Sequence, residues 1–376
     1  MADTKIEWTN KTWNPTRGCE LVSPGCSNCY AMKQAHRFSA AGQPYHGLTK
    51  LGGRGPVWTG HVREVPEMLA APLHWREPAK IFVDSMSDLF HEGVSNEYIA
   101  AVFGIMAACP HTFQILTKRA ERLPAWFEWL QALARRTESV FPDDTQQWRL
   151  NQLCRAAAIK RGVVFTDHMP ELWPLPNVHL GVSVESQQHA DERIPHLLRT
   201  PVAVRFLSCE PLLGPLDVSP WLTGWTGMGS GLPPPLSTSL ESLSDIPAID
   251  WVIVGGESGP GARPMHPAWA RSVRDQCVAA GVPFLFKQWG AWVPMIAAGV
   301  VGAASAALDR TGGIREREGD PLYTVQSRTG APLFGNRAMR GRMINNDGDA
   351  FLVGKHAAGR LLDGRTWDEF PKAVTP

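Results

Sequence analysis

Short apolar runs, separated by longer stretches of mixed polarity, set the rhythm of this chain. Runs near Ile81–Asp84, Phe113–Thr117, Val178–Val184, Val202–Ser208, Trp251–Gly255 and Phe284–Lys287 are dominated by Val, Ile, Leu and Phe, with no clean polar alternation. Strands buried on both faces carry this pattern, as in a parallel sheet. A seventh strand is expected around Thr12–Pro15. Between the runs, Asn96–Ala108, Glu121–Arg136, Gln187–Leu198 and Pro267–Ala280 read as helices. Strands alternating with helices predict repeated βαβ units. The fold class expected is therefore α/β, a partial (βα)6-type TIM-like barrel of parallel strands with two insertions and a loop-rich C-terminal extension.

The insertions stand out by composition. Residues 137–172 are polar with a helix-like middle at Gln146–Lys160, and residues 219–247 are rich in Pro, Gly, Ser and Trp, including Pro233-Pro234-Pro235. The second reads as a long loop. The barrel is expected over residues 1–290 and the extension over 291–376, where Gln326–Met343 carries Arg328, Arg337, Arg340 and Arg342 and no acid.

Composition narrows the picture further. With 376 residues, 44% of them hydrophobic, the chain can build a substantial core. A formal net charge of +1 gives no global pull toward nucleic acid or acidic membranes. Of seven cysteines, three cluster near the start while Cys109, Cys154, Cys209 and Cys277 are scattered, unlike a secreted disulfide framework. Met1–Trp8 lacks the apolar core of a signal peptide, and the apolar segment Val293–Leu308 is too short to span a bilayer. A cytoplasmic protein with no membrane partner is the expectation.

The clustered cysteines are Cys19, Cys26 and Cys29, spaced Cys-x6-Cys-x2-Cys in a loop that Gly18, Pro24 and Gly25 allow to turn tightly. Three convergent thiolates make a metal site that is one ligand short. An iron–sulfur cubane so held keeps one iron open, whereas zinc would take a fourth ligand from His36 or His46. A zinc-binding protein that interacts with nucleic acid and an iron–sulfur protein that only carries electrons both stay open at this point. Several strands end in polar or glycine residues: Asp84-Ser85-Met86-Ser87-Asp88, Thr117-Lys118-Arg119, Ser183-Val184-Glu185, Ser208-Cys209-Glu210 and Gly255-Gly256-Glu257-Ser258-Gly259. In βα barrels the C-terminal strand ends build the active site. Lys118, Arg119 and Arg122, with Lys287 and Trp289, combine cations with an aromatic, a set suited to phosphate and base recognition. Trp13 and Trp289, near strand ends, are the tryptophans expected to face a cavity.

A cysteine triad in a loop after a first strand, ahead of a series of βα units, resembles the radical S-adenosylmethionine (radical SAM) enzymes. Their usual spacing is Cys-x3-Cys-x2-Cys, so the first gap here is longer, and Asn28 with Tyr30 replaces the aromatic that usually precedes the third cysteine. More closely, the chain resembles a phage- and bacterium-associated family called the three-cysteine-motif proteins, of undefined function, itself similar to the spore photoproduct lyase branch. The likeness rests on Trp13-Asn14-Pro15, Gly18-Cys19, Cys26-Ser27-Asn28-Cys29-Tyr30-Ala31, Gly181-Val182-Ser183-Val184-Glu185, Ser208-Cys209-Glu210-Pro211-Leu212, Gly255-Gly256-Glu257-Ser258-Gly259, Lys287-Gln288-Trp289-Gly290 and the tail Gly359–Arg365.

The resemblance implies a 4Fe-4S cluster on Cys19, Cys26 and Cys29 with SAM on the open iron. One electron from a donor then cleaves the sulfonium to a 5′-deoxyadenosyl radical, with a nucleic-acid base or nucleotide as substrate. It further implies that Asp84, Ser85 and Ser87 contact the SAM amino group and that Ser183 and Glu185 contact ribose or carboxylate. Gly255 and Gly256 would admit close backbone approach to SAM, and Glu257, Lys118 and Lys287 would act on SAM or substrate.

Overall fold

Seven parallel strands lie side by side in sequence order: β1 (Lys11–Trp13), β2 (Lys80–Val83), β3 (Thr112–Thr117), β4 (Val178–Ser183), β5 (Val204–Cys209), β6 (Trp251–Gly255) and β7 (Phe284–Gln288). The computed structural model describes residues 4–53, 55–137, 145–165, 172–223, 247–294, 322–325, 339–343, 349–352 and 354–372. The helices are α1 (Tyr30–His36), α2 (Asn96–Ala107), α3 (Arg122–Arg136), α4 (Gln146–Ile159), α5 (Gln187–Leu198), the short α6 (Ser219–Leu222) and α7 (Pro267–Ala280). A sheet that adds each new strand on the same side curls, and this one forms a half-barrel flanked by helices, the expected partial TIM-like barrel.

Each strand divides its apolar residues between two environments. Ile81, Val83, Phe113, Ile115, Leu180, Val182, Leu207, Val252, Val254, Phe284 and Phe286 join the large core beneath the helices. Phe82, Phe206, Trp251, Ile253 and Leu285 point to the concave face, where Trp8 packs among them. The period of two is present but masked, because both faces are apolar. Gly181 is the exception that makes room. A Cβ there would lie 2.6 Å from the Phe206 ring, so the missing side chain lets Phe206 fill the barrel interior.

The segment after β7 returns to the barrel. Residues around Asp368 bridge antiparallel to Leu285, Phe286 N–H donates to the Trp367 carbonyl (2.9 Å), and Trp251 Nε1 donates to the Glu369 carbonyl (2.9 Å). Phe370 packs against Trp251, with ring centroids 5.3 Å apart, and Lys80 Nζ lies 3.4 Å from the Phe370 centroid. The extension also carries a four-stranded antiparallel sheet in the order Trp292–Pro294, Asp349–Leu352, Met339–Met343, Leu322–Val325, more regular structure than its loop-rich composition implied. The insertion at 137–172 contributes α4. Most of the Pro-rich insertion at 219–247, and most of the arginine-bearing stretch Gln326–Met343, lie outside the described residues. No helix among the described residues is long and apolar enough to cross a membrane.

Candidate active site at the mouth of the half-barrel

The C-terminal ends of the strands surround a cavity of about 420 Å³, within the usual range for a small-molecule site. Its floor is apolar, made by Ile6, Trp8, Phe82 and Leu116. Its wall is polar: Asp84, Ser85, Ser87, Lys118, Ser183, Glu257 and Lys287 all line it. Cys19, Cys26 and Cys29 line the same cavity from the loop that follows β1. The triad and most of the polar strand ends therefore meet in one place.

The cysteine loop is held by groups far away in sequence. Gly18 forms an isolated parallel bridge with Ser87, and its φ of +93° needs glycine, since a Cβ would meet the His61 carbonyl at 2.2 Å. Glu185 is fully buried behind the loop. It accepts hydrogen bonds from Ser23 Oγ (2.6 Å) and Arg193 Nη1 (2.8 Å) and pairs with Lys118. A Cβ on Gly25 would strike Glu185 Oε1 at 2.4 Å, so the loop backbone rests directly on this carboxylate. Burial opposes ionisation of Glu185, but Lys118 and Arg193 outweigh it and hold its pKa down to about 2. Glu257 anchors the other side: Asn28 Nδ2 donates to it (3.0 Å), Arg263 grips both of its oxygens (2.9 and 2.6 Å), and Arg263 also donates to the Pro24 carbonyl (2.9 Å).

The remaining predicted residues divide by surroundings. Asp84 closes β2 with φ at +57°, a left-handed conformation that aspartate tolerates. Its Oδ1 accepts the Thr16 N–H (3.0 Å), while Oδ2 is buried with no hydrogen-bond partner among the described residues. Burial raises its pKa to about 7. Ser85 Oγ donates to Asn14 Oδ1 (3.2 Å) and the Ser85 carbonyl accepts Tyr30 Oη–H (2.7 Å), while Ser87 Oγ lies 2.7 Å from Thr16 Oγ1. Lys287 pairs with Glu210 at 2.7 Å. Glu185 and Gly255 do not line the cavity. A Cβ on Gly255 would meet Glu210 Cδ at 3.1 Å, and one on Gly256 would meet the Trp289 carbonyl at 2.0 Å. The close approach these glycines permit is thus to the protein's own side chain and backbone.

Two expectations are corrected here. Trp13 and Trp289 do not face the cavity. Both are almost wholly buried in the core under the helices, with Trp13 Nε1 donating to the Met68 carbonyl (2.8 Å) and Trp289 Nε1 to the Leu361 carbonyl (2.9 Å). Trp8 and Trp58 line the cavity instead. The reason is strand parity: a residue at a strand end faces helix or hollow according to its register, and doubly apolar strands conceal that register in the sequence. Residues that the motif reading left without a role include Tyr30 and Glu210, which line the cavity, and Arg193 and Arg263, which clamp the two loop-holding carboxylates.

The two candidate metals ask for different donor spacings. Zinc with Zn–S bonds of about 2.3 Å draws its thiolates to within about 4 Å of one another. Among the described residues, the trio with its donor atoms all within 4.8 Å of one another is Glu20, His91 and Glu92, and the three sulfurs do not form so close a set. A cubane attaches each thiolate to a different iron and spreads them wider. The proposed zinc-completing histidines are engaged elsewhere or outward: His36 Nδ1 lies 3.0 Å from Thr49 Oγ1, and His46 is exposed. His91 accepts the Gly93 N–H at Nδ1 (3.0 Å), which places the ring proton on Nε2 and leaves no lone pair there for a cation. Three cysteine donors lining one cavity are of the chemistry that a three-thiolate iron–sulfur cluster takes.

A family model described as Protein of unknown function (DUF5131) matches residues 3–371. No curated protein and no solved structure matches the chain.

Proposed function

From the resemblance of its cysteine loop to radical SAM enzymes, together with the site, we propose that this chain, which belongs to the DUF5131 family of undefined function, is a radical SAM-type enzyme. The observation that carries this reading is the placement of Cys19, Cys26 and Cys29 over the same cavity as the polar ends of the barrel strands. When bound, a 4Fe-4S cluster with SAM supplies reductive cleavage of the sulfonium and hydrogen abstraction by the resulting 5′-deoxyadenosyl radical. Cys19, Cys26 and Cys29 would hold the cluster, and an external donor would supply the electron.

The chain's own residues do the rest. Asp84, Ser85, Ser87 and Ser183 present acceptors on the cavity wall for an ammonium and hydroxyls. Ile6, Trp8, Phe82 and Leu116 give a floor on which a flat apolar group displaces water. Glu185 and Glu257 act chiefly through the loop they hold, fixing where the sulfurs sit. A nucleic-acid base or nucleotide is the substrate class proposed, supported by the presence of Tyr30, Trp58, Lys118 and Lys287 among the residues that line the cavity. These two lysines are paired with Glu185 and Glu210, so recognition there rests on hydrogen bonding and stacking more than on unpaired charge.

The test is anaerobic reconstitution with iron and sulfide, followed by SAM and a strong reductant. Broad absorbance near about 400 nm from thiolate-to-iron charge transfer, with release of 5′-deoxyadenosine and methionine, is expected. Each of Cys19→Ala, Cys26→Ala and Cys29→Ala abolishes both signals, whereas Cys109→Ala and Cys209→Ala, in the core away from the cavity, keep them. A colourless protein holding one zinc overturns the proposal. A brown protein that never cleaves SAM leaves only the electron-carrying alternative.

A further inference from the structure

Arg119 follows Lys118 at the end of β3 and is buried. Its guanidinium is fixed from two sides: Nε donates to Glu92 Oε2 (2.9 Å) and Nη1 to Asp88 Oδ2 (3.0 Å). Asp88 is itself fixed by Thr117 Oγ1 (2.8 Å) and the Phe90 N–H (3.0 Å). This scaffold sets Nη1 at 4.0 Å from Cys19 Sγ. Nη2 is buried with no hydrogen-bond partner among the described residues, and Glu20 Oε2 lies 3.9 Å from it. A buried guanidinium N–H without an acceptor is costly to maintain unless a ligand or ion completes it.

We propose that Arg119 is a positioning residue for the metal centre, bringing its guanidinium against the Cys19 sulfur to offset negative charge on the thiolate-bound cluster. The inference rests on the radical SAM-type reading and adds a residue that reading does not use. It also makes the three cysteines unequal. Cys19 has the Arg119 guanidinium, itself paired with Asp88, 4.0 Å from its sulfur, and Cys29 feels the Lys118 charge, whereas the hydrogen-bond neighbour of Cys26 Sγ among the described residues is the neutral Ser23 Oγ at 3.7 Å. Hydrogen bonds to cluster sulfurs and nearby charge set an iron–sulfur reduction potential. A cation held here favours the reduced, more negative state and so makes electron uptake easier. Arginine suits the task because its charge persists at every working pH and its planar fork keeps a fixed direction.

The measurement is the midpoint potential of the reconstituted cluster in the full chain, read by redox titration of its visible absorbance. Arg119→Gln is expected to keep the cluster but shift the potential to more negative values, and Arg119→Lys to recover part of that shift. Glu92→Gln, at an exposed site, removes an anion from the Arg119 scaffold and is expected to shift the potential the opposite way. Shifts of the same sign in Arg119→Gln and Glu92→Gln, or unchanged potentials in both, overturn the role of Arg119 while leaving the cluster assignment standing. If Arg119→Gln does not fold, Arg119→Lys and Glu92→Gln decide by the same opposition of sign. A wild-type protein with no iron–sulfur absorbance overturns the cluster assignment and with it this inference.

Discussion

Asp84, in the cavity wall, and Glu185, buried behind the cysteine loop, sit in opposite electrostatic surroundings. Glu185 is surrounded by Lys118, Arg193 and Ser23 and stays ionised down to about pH 2. Asp84 has one backbone donor and a Ser87–Thr16 hydroxyl pair near it, and burial dominates, so its pKa rises to about 7. The two therefore affect stability with opposite sign. Glu185 contributes stability that is present above its unfolded pKa and is lost as pH falls toward 2. Asp84, ordinarily near about 3.9 when unfolded, binds a proton in the native state between about pH 4 and 7 that the unfolded chain lacks. Ligand-free protein thus loses stability across that window as pH rises. Asp84→Asn keeps the backbone conformation and the Thr16 hydrogen bond but has nothing to ionise. Urea midpoints of wild type and Asp84→Asn should coincide most closely near pH 4 and diverge toward pH 7, with the variant more stable. Parallel profiles would refute the buried carboxyl. A cationic group bound beside Asp84 would reverse this penalty.

At the scale of elements, α2 and α4 pack backbone against backbone. A Cβ on Gly104 would meet the Cys154 carbonyl oxygen at 2.5 Å and its carbon at 2.8 Å, so the two helix backbones touch where a side chain would stand. Gly104→Ala should force them apart and cost about 1–3 kcal/mol, as overpacking does. Denaturant unfolding measures it, and a variant as stable as wild type would show that α4 is loosely attached. The main strands were legible from apolar runs, because strands buried on both faces leave an uninterrupted signature. Their register was less so: Val202–Ser208 was expected where β5 runs Val204–Cys209, since Pro201 and Val202 continue the apolar composition ahead of the ladder. The cysteine loop and polar strand ends were legible as chemistry. Their pairings were not: Lys118 with Glu185, Lys287 with Glu210 and Asn28 with Glu257 join residues remote in the chain, which only the curl of the sheet brings together. The burial of Trp13 and Trp289 was hidden for the same reason as the register.

For the whole molecule, the half-barrel leaves β7 at an edge, and the tail covers it. Trp367, Asp368 and Glu369 lie along that edge, while Phe370 reaches Trp251 on the concave face. An uncovered edge strand invites pairing with another chain. Deleting residues from Thr366 onward should lower stability by about 3–5 kcal/mol through lost burial of Trp367 and Phe370, and promote self-association. Thermal melting and size-exclusion chromatography report these together, and a monomer with unchanged melting would show that the strap is dispensable.

The grip of Glu185, Glu257 and Arg263 on the cysteine loop also bears on biosynthesis. The three thiols leave the ribosome well before their holders, which follow only after the chain has grown past Arg263. At roughly 5–20 residues per second, that gap is on the order of ten seconds or more. During it the nascent thiols have no pocket, so any maturation machinery must meet a chain already extended past Arg263, and oxidants met before then find them unguarded.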